Sequence, residues 1–271
     1  MSDSAPKKLP LSVVLISRNA ERHLPLCLRS IQDVASEIVV VHNDCTDNTV
    51  KIAREFGAKT IEQKWLGFRD QKNLVLDHAT QPWILSLDSD EEVSPELLQL
   101  IVDFIKADDP KYNGAHFPRK VWFLGRWITH GDWYPDYSLR LIRQGKGRWG
   151  GGNVHEKMKL EGKSKRLTGD LHHYCNPNMN SHLSRLVYYS DLFLENRLEE
   201  GKRWSATGTV IRSVWRFFRA YIFRLGFLDG YPGLYIAWFD SFSAFYRHSR
   251  MYEHMYHTEF PKEHVKPHPL F

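Results

Sequence analysis

Two aspartates one residue apart, Asp88 and Asp90, stand where an apolar run stops abruptly: residues 83–92 read W-I-L-S-L-D-S-D-E-E. Trp83, Ile84, Leu85 and Leu87 have the pattern of a buried strand, and Asp88, Asp90, Glu91 and Glu92 then form its acidic rim. Ligands of open α/β sheets bind at the carboxyl ends of strands. Two carboxylates at such an end can share a hard divalent cation, which is commonly held by one or two carboxylates together with substrate phosphates. The same ten residues also read as a strand followed by the acidic first turn of a helix, because Ser94-Pro95-Glu96 is a good helix start. On that second reading Glu92 belongs to the helix.

Other chemistry-bearing residues fall at comparable places. Arg18-Asn19 follows the run L-S-V-V-L-I-S, and the polar stretch His42 to Thr49 follows a second apolar run. Arg69, Lys72 and Asn73 share a helical pattern over residues 68–79. Asp132, Asp136, His155, Glu156, His172 and His173 come later, among frequent Gly and Trp.

The elements that must position these residues are legible as an alternation. Strand patterns at 11–17, 37–41, 58–61 and 83–88 are separated by helical patterns, the last of which is followed by a helix over 94–107. Such alternation predicts a parallel, doubly wound sheet with flanking helices, whose strand ends gather the polar sets on one edge. Residues 115–174 read as shorter strands with long loops. Residues 178–201 form a helical pattern.

The chain has 271 residues, 42% of them hydrophobic and 25% charged, which is ordinary for a globular protein with a sizeable core. Three widely spaced cysteines, Cys27, Cys45 and Cys175, show no zinc or redox spacing and suit a reducing compartment. No secretory leader and no run of about 20 apolar residues is evident. The net charge of +5 suits an anionic partner, but no nucleic-acid-binding motif is present, so nucleic acid is not expected. Between residues 201 and 250 eight Lys/Arg face two acids, with Trp215, Phe217, Phe218, Tyr221, Ile222 and Phe223 among the arginines. A basic, aromatic helix too short in apolar length to span a bilayer suggests either a helix lying on a membrane surface or a solvated basic face.

Taken in order, R-N-A-E, N-D-C-T-D-N-T, W-L-G-F-R-D-Q-K-N, W-I-L-S-L-D-S-D-E, W-Y-P-D-Y-S-L-R-L-I-R, N-V-H-E, L-H-H-Y and L-G-F-L-D-G-Y-P-G-L resemble the inverting family 2 glycosyltransferases, in particular those of the lipopolysaccharide core. The likeness runs over about residues 11–250. It implies a GT-A fold, Rossmann-like with a mostly parallel central sheet, plus a helical C-terminal extension. It further implies a tail at 1–10, a transferase domain at 11–200 with a nucleotide-binding half (11–110) and an acceptor half (111–177), and a basic aromatic region at 201–271.

The implied reaction moves a sugar from a nucleotide-sugar, expected to be a UDP-sugar, to a hydroxyl of a glycan or glycolipid. The implied place is the cytoplasm, on the cytoplasmic face of the inner membrane. Asp88 and Asp90 would hold Mg²⁺ or Mn²⁺ on the donor diphosphate, with His155 a third ligand and His173 a further candidate. Ser17, Asn19, Asn43, Asp44 and Asp47 would touch the nucleoside, and Lys72, Asn73 and Asp88 the ribose or diphosphate. Where the family commonly has Asp at the second strand end, this chain has His42, which leaves the nucleobase open. The attacking hydroxyl needs a base, and Asp136 and Glu156 are the two candidates, with Asp136 favoured. Glu91, Trp133, Tyr134 and Arg140 are the acceptor-side candidates, and Trp149 with Gly150-Gly151-Gly152 suggests a flap. A nucleotidyltransferase is the rival enzyme class, although the loop after the first strand lacks its glycines. A non-catalytic membrane-surface binder is the rival outside enzymes.

Overall fold

A computed structural model describes residues 8–151, 156–175 and 178–257. It divides into two compact units. The first takes in Met1–Val121 and Pro135–Cys175, the second Trp122–Tyr134 and Asn176–Phe271.

The first unit opens with β1 (Leu9–Ser17), α1 (Leu24–Arg29), β2 (Ala35–His42), α2 (Thr49–Glu55), β3 (Lys59–Glu62), α3 (Phe68–Asp77) and β4 (Trp83–Asp88). The strands pair in parallel in the order β3-β2-β1-β4. β1, β2 and β4 are buried along almost their whole length, as a sheet covered by helices on both faces requires. The chain first steps from β1 outward to β2 and β3, then returns to the other side of β1 with β4. That reversal opens a crevice between β1 and β4 at their carboxyl ends. Register places the ends together: Ser17 lies beside His42, and Ile16 beside Asp88.

After β4 come β5 (Glu91–Val93), α4 (Pro95–Ala107), β6 (Tyr112–Phe123), β7 (Arg126–Trp127), β8 (Asp136–Arg143), β9 (Gly147–Gly150), β10 (Lys157–Leu160), β11 (Lys163–Arg166) and β12 (Leu171–His173). Beyond β4 the sheet is mixed, with β11 and β12 each pairing parallel to β6. β8 joins β4 antiparallel, β6 joins β8 antiparallel, and β12 lies between β6 and β5. The strand path β4-β8-β6-β12-β5 thus ends two residues from where it began, because β5 follows β4 directly in the chain. The sheet curls around the turn that carries Asp90.

Helix α4 begins as expected, with Ser94 Oγ accepting from the Leu97 N–H at 3.2 Å and Pro95 in the first turn. Its buried stripe is Leu97, Ile101, Phe104 and Ile105. Glu92 is not in that first turn. It lies in β5, opposite His172 of β12, and accepts from the Tyr174 hydroxyl at 2.6 Å. Gly169 passes so close to α4 that a Cβ there would sit 2.5 Å from the Leu97 Cα.

The second unit holds the end of β6 paired with β7, a 3₁₀ turn at Gly131–Trp133, and three helices: α5 (Met179–Glu199), α6 (Ala206–Phe218) and α7 (Gly230–Tyr256). A π turn (Arg219–Phe223) and a 3₁₀ turn (Gly226–Asp229) link α6 to α7. The run L-G-F-L-D-G-Y-P-G acquires a structural account here. Asp229 is fully buried and accepts from the backbone N–H groups of Thr129 and His130 at 3.0 and 2.8 Å. A Cβ on Gly233 would fall 1.9 Å from the Gly226 carbonyl oxygen, so the two segments can meet only with glycine there. No helix among the described residues is long and apolar enough to cross a membrane.

Candidate active site

The crevice edge of the first unit carries a chain of alternating charges. Glu156 Oε1 is 3.2 Å from Lys72 Nζ, which is 3.0 Å from Asp88 Oδ1. Asp88 Oδ2 is 2.6 Å from the Arg140 guanidinium, whose same nitrogen is 2.5 Å from Glu91 Oε1. Glu91 in turn faces Arg119 at 3.8 Å, and Arg119 binds Asp136 through two N–H groups, one at 2.9 Å. Four carboxylates and three cations therefore form one continuous network, with both candidate bases at its ends.

Local structure explains each position. Lys72 sits on the inner face of α3, held under the indole of Trp149 by a cation–π contact of 4.4 Å. Arg140 points inward from β8 and is almost wholly buried. Arg119 and Asp136 are directly opposed on β6 and β8, the arrangement in which opposite charges on neighbouring strands interact. Glu91 is fully buried, and its second oxygen accepts from the Asp88 backbone N–H at 2.9 Å, which tightens the D-S-D turn.

The electrostatics follow from these pairs. Burial alone would raise the Asp88 carboxyl, but Arg140 and Lys72 outweigh it and hold Asp88 well below the usual carboxylate range. Burial likewise opposes Asp90, and the bond from His173 reverses it, so Asp90 is also lowered. The His173 ring nitrogen is 3.6 Å from Asp90 Oδ1. Burial pushes His173 down, yet its hydrogen bonds to Asp90 and Cys175 win and lift it to about 10. At neutral pH the site thus presents two ionised aspartates and an imidazolium.

Among the described residues no group of three His, Cys, Asp or Glu is set to hold a metal ion. The donor set is instead of the two-carboxylate kind that holds Mg²⁺ together with substrate phosphates, and it fits a cation in that sense. Asp90 has the greater freedom to ligate, since each Asp88 oxygen already accepts from a cation. His155, Gly152 and the expectations attached to them lie outside the described residues.

The remaining sequence candidates divide between crevice and scaffold. Asn19 and Asp44 both adopt left-handed backbone conformations, with φ of 48° and 43°. Asn19 Oδ1 accepts from the Thr46 N–H at 2.8 Å, and Asp47 accepts from the N–H groups of Glu21 and Thr49 at 3.0 Å each. These bonds lace the loops after β1 and β2 into one wall. Ser17 and Asn43 are buried at the same edge. Asn73 is committed to scaffold: its amide brackets the Trp149 backbone, donating to the carbonyl at 3.0 Å and accepting from the N–H at 2.9 Å. Gly150, with Trp149, belongs to β9, paired with β10. Trp133 packs in the second unit, its ring centroid 5.3 Å from Phe123 and 5.1 Å from His182, and Tyr134 lies at the end of the same segment. Arg143 stacks over Trp83 at 4.3 Å, away from Asp88. Arg119 was not legible as a site residue, because its only signal is its cross-strand partner 17 positions later.

The profile described as Glycosyl transferase family 2 matches residues 12–161. The lipopolysaccharide core biosynthesis glycosyltransferase LpsC of Rhizobium meliloti (strain 1021) is 29% identical over 256 residues, covering 89% of this chain and 94% of its own. The uncharacterized glycosyltransferase RT0209 of Rickettsia typhi is 25% identical over 254 residues, covering 90% of this chain and 87% of its own. Among solved structures, S. aureus TarS 1-349 in complex with UDP-GlcNAc aligns at 25% identity with a TM-score of 0.38, over 43% of this chain and 36% of that one, so this chain spans about a third of that length. The profile match takes in more than half of the chain, including the D-S-D turn, α3, β8 and Glu156: the protein belongs to glycosyltransferase family 2.

Proposed function

We propose that this enzyme transfers a sugar, with inversion, from a UDP-sugar to a hydroxyl of a glycolipid acceptor in lipopolysaccharide core assembly, working at the membrane surface. The charge network ending in Asp136 and Glu156 is the observation that carries this reading. Its lipopolysaccharide part is supported by the likeness to LpsC along nearly the whole of both chains.

In the proposed reaction an acceptor hydroxyl attacks the anomeric carbon, the new C–O bond forms as the bond to the diphosphate breaks, and the nucleoside diphosphate leaves. Asp136 accepts the hydroxyl proton. Its side chain is 47% exposed and so open to an acceptor, whereas Glu156 is 14% exposed and faces the Lys72 ammonium. Arg119 fixes the Asp136 carboxylate through one oxygen and leaves the other to take the proton. Glu156 orients Lys72, whose charge offsets the negative charge on the departing diphosphate. Arg140 and Glu91, both buried, act from beneath by holding Asp88 ionised and in place. The loops bearing Asn19, Asn43, Asp44 and Asp47 bound the nucleoside. A divalent cation held by Asp90 and Asp88 would supply Lewis-acid stabilisation of the diphosphate.

A panel of UDP-, GDP- and ADP-sugars, each with Mg²⁺, Mn²⁺ or chelator, tests the reading by binding and slow donor hydrolysis. Cation-dependent turnover of a UDP-sugar is expected. Selective turnover of another nucleotide class overturns the donor assignment, and cation-independent turnover overturns the metal.

A further inference from the structure

The second unit is built inside out. Most of the buried residues of α6 and α7 are small: Thr209 and Ser213 on α6, and Gly233, Ala237, Ser241, Ser243 and Ala244 on α7, beside the larger Ile236 and Met251. The Ser241 hydroxyl donates to the Ser213 carbonyl at 2.8 Å between the two helices. Most of the large apolar side chains face outward. On α6 they are Val210, Ile211, Val214, Trp215 and Phe218, a single stripe at three-to-four-residue spacing. On α7 they are Tyr231, Trp238, Phe242 and Phe245, again one stripe. Phe223, in the π turn, is 67% exposed. Small residues inside and large apolar ones outside is the packing of helices whose surroundings are themselves apolar. Contiguous apolar exposure on this scale marks an interaction surface.

Charge says what that surface meets. Arg212, Arg216 and Arg219 recur at the same helical spacing and border the α6 stripe on one side. Arg216, Arg219 and Arg224 converge on the buried Asp132 at 3.4–3.6 Å, so three guanidiniums share one carboxylate and remain partly exposed. An apolar face rimmed by unbalanced arginines is complementary to a bilayer with anionic headgroups.

We propose that the hairpin of α6 and α7 lies in the interface of an anionic membrane, with Trp215, Phe218, Phe223 and Trp238 entering the acyl boundary and Arg212, Arg216, Arg219 and Arg224 at the phosphates. This rests on the membrane-surface part of the proposed function and specifies its face and its lipid chemistry.

Flotation of the full-length protein with vesicles of phosphatidylcholine alone, or with 30–40% phosphatidylglycerol (roughly the anionic content at which such electrostatics register), tests it. Flotation with the anionic vesicles is expected, at least tenfold stronger than with the neutral ones and weakened by salt. The surface variant W215S/F223S, melting as the parent does, is expected to lose at least tenfold, and Arg212→Glu to lose affinity for anionic vesicles only. Absent flotation, equal flotation on both compositions, parental flotation of W215S/F223S, or a stable dimer that hides Trp215 in solution overturns the proposal. Donor hydrolysis measured in parallel separates the two readings: these variants keep it, and a parent that floats but never turns over a donor refutes the reaction and leaves the docking face standing.

Discussion

Replacing Arg140 by Met leaves the outline of β8 intact and removes the cation shared by Asp88 and Glu91. Glu91 is fully buried and Arg140 nearly so, and the two N···O distances, 2.6 and 2.5 Å, are those of charge-assisted bonds. Breaking a buried ion pair from one side costs about 3–5 kcal/mol, because a charge is stranded. With a urea dependence of about 2 kcal/mol per molar for a domain of this size, the first unit's midpoint falls by roughly 1.5–2.5 M. The sign with pH is fixed by Asp88. Its folded value is depressed, so its contribution is present above the unfolded carboxylate value of about 3.9 and is lost as pH falls through the folded value. The gap between parent and R140M is therefore widest near pH 7 and closes in acid. Urea unfolding at pH 7 and at a series of values taken well below about 3.9, monitored by hydrogen exchange of the β4 and β8 amides, reads this directly. R140M/E91L, which removes both partners, is expected to regain part of the loss, since an apolar replacement of a whole buried pair is often near neutral. A parental midpoint for R140M at pH 7, or a deficit that stays unchanged as pH is taken well below about 3.9, refutes the account of the network.

Asp136→Asn is expected to lower transfer by about 10²–10⁴-fold while donor binding persists, and assay of Glu156→Gln beside it decides the base; transfer lost only in the Glu156 variant reverses the roles given above. His173 is raised to about 10, so its contribution is complete below the unfolded histidine value near 6.5 and is lost as pH climbs through about 10. The thermal midpoint of the parent should fall over that window, and His173→Gln should flatten the profile; an identical alkaline slope in the variant rejects the Asp90–His173 pairing. Asn73→Ala removes both bonds to the Trp149 backbone and is expected to cost about 1–3 kcal/mol, seen as faster exchange at β9; unaltered β9 protection would show the clamp to be dispensable.

What the sequence revealed was what is encoded locally. β1, β2 and β4 are continuous apolar runs, and α3 and α4 carry helical periodicity, so the parallel half and the meeting of its strand ends could be read directly. Ser94 marked the start of α4 because an N-cap is a local device. The mixed half was harder. Glu92 has an acidic helix-start context, but its place in β5 depends on pairing with His172 some 80 residues later. Arg119 owes its role to being opposite Asp136, and Lys72 and Glu156 come together across a similar gap. In the second unit the basic and aromatic composition was plain, whereas the outward turn of the large side chains depends on which face α7 covers.

The curled strand path has a kinetic consequence. Asp88 and Glu91 are separated by one short turn, yet the path between their strands is completed only when β12 docks on β5 and β6. Closing a loop of that length must be met in entropy before its contacts form, which slows non-local pairing relative to the local α/β half. The D-S-D turn is accordingly expected to gain its final shape late, after the parallel strands are in place. Pulse-labelled exchange in which Tyr174, whose N–H donates to the Asp90 carbonyl at 3.0 Å, gains protection before β1 would contradict this order. A chain stalled before that docking would hold most of its core but lack the pairing of His173 with Asp90, so competence for turnover would report completion of the fold.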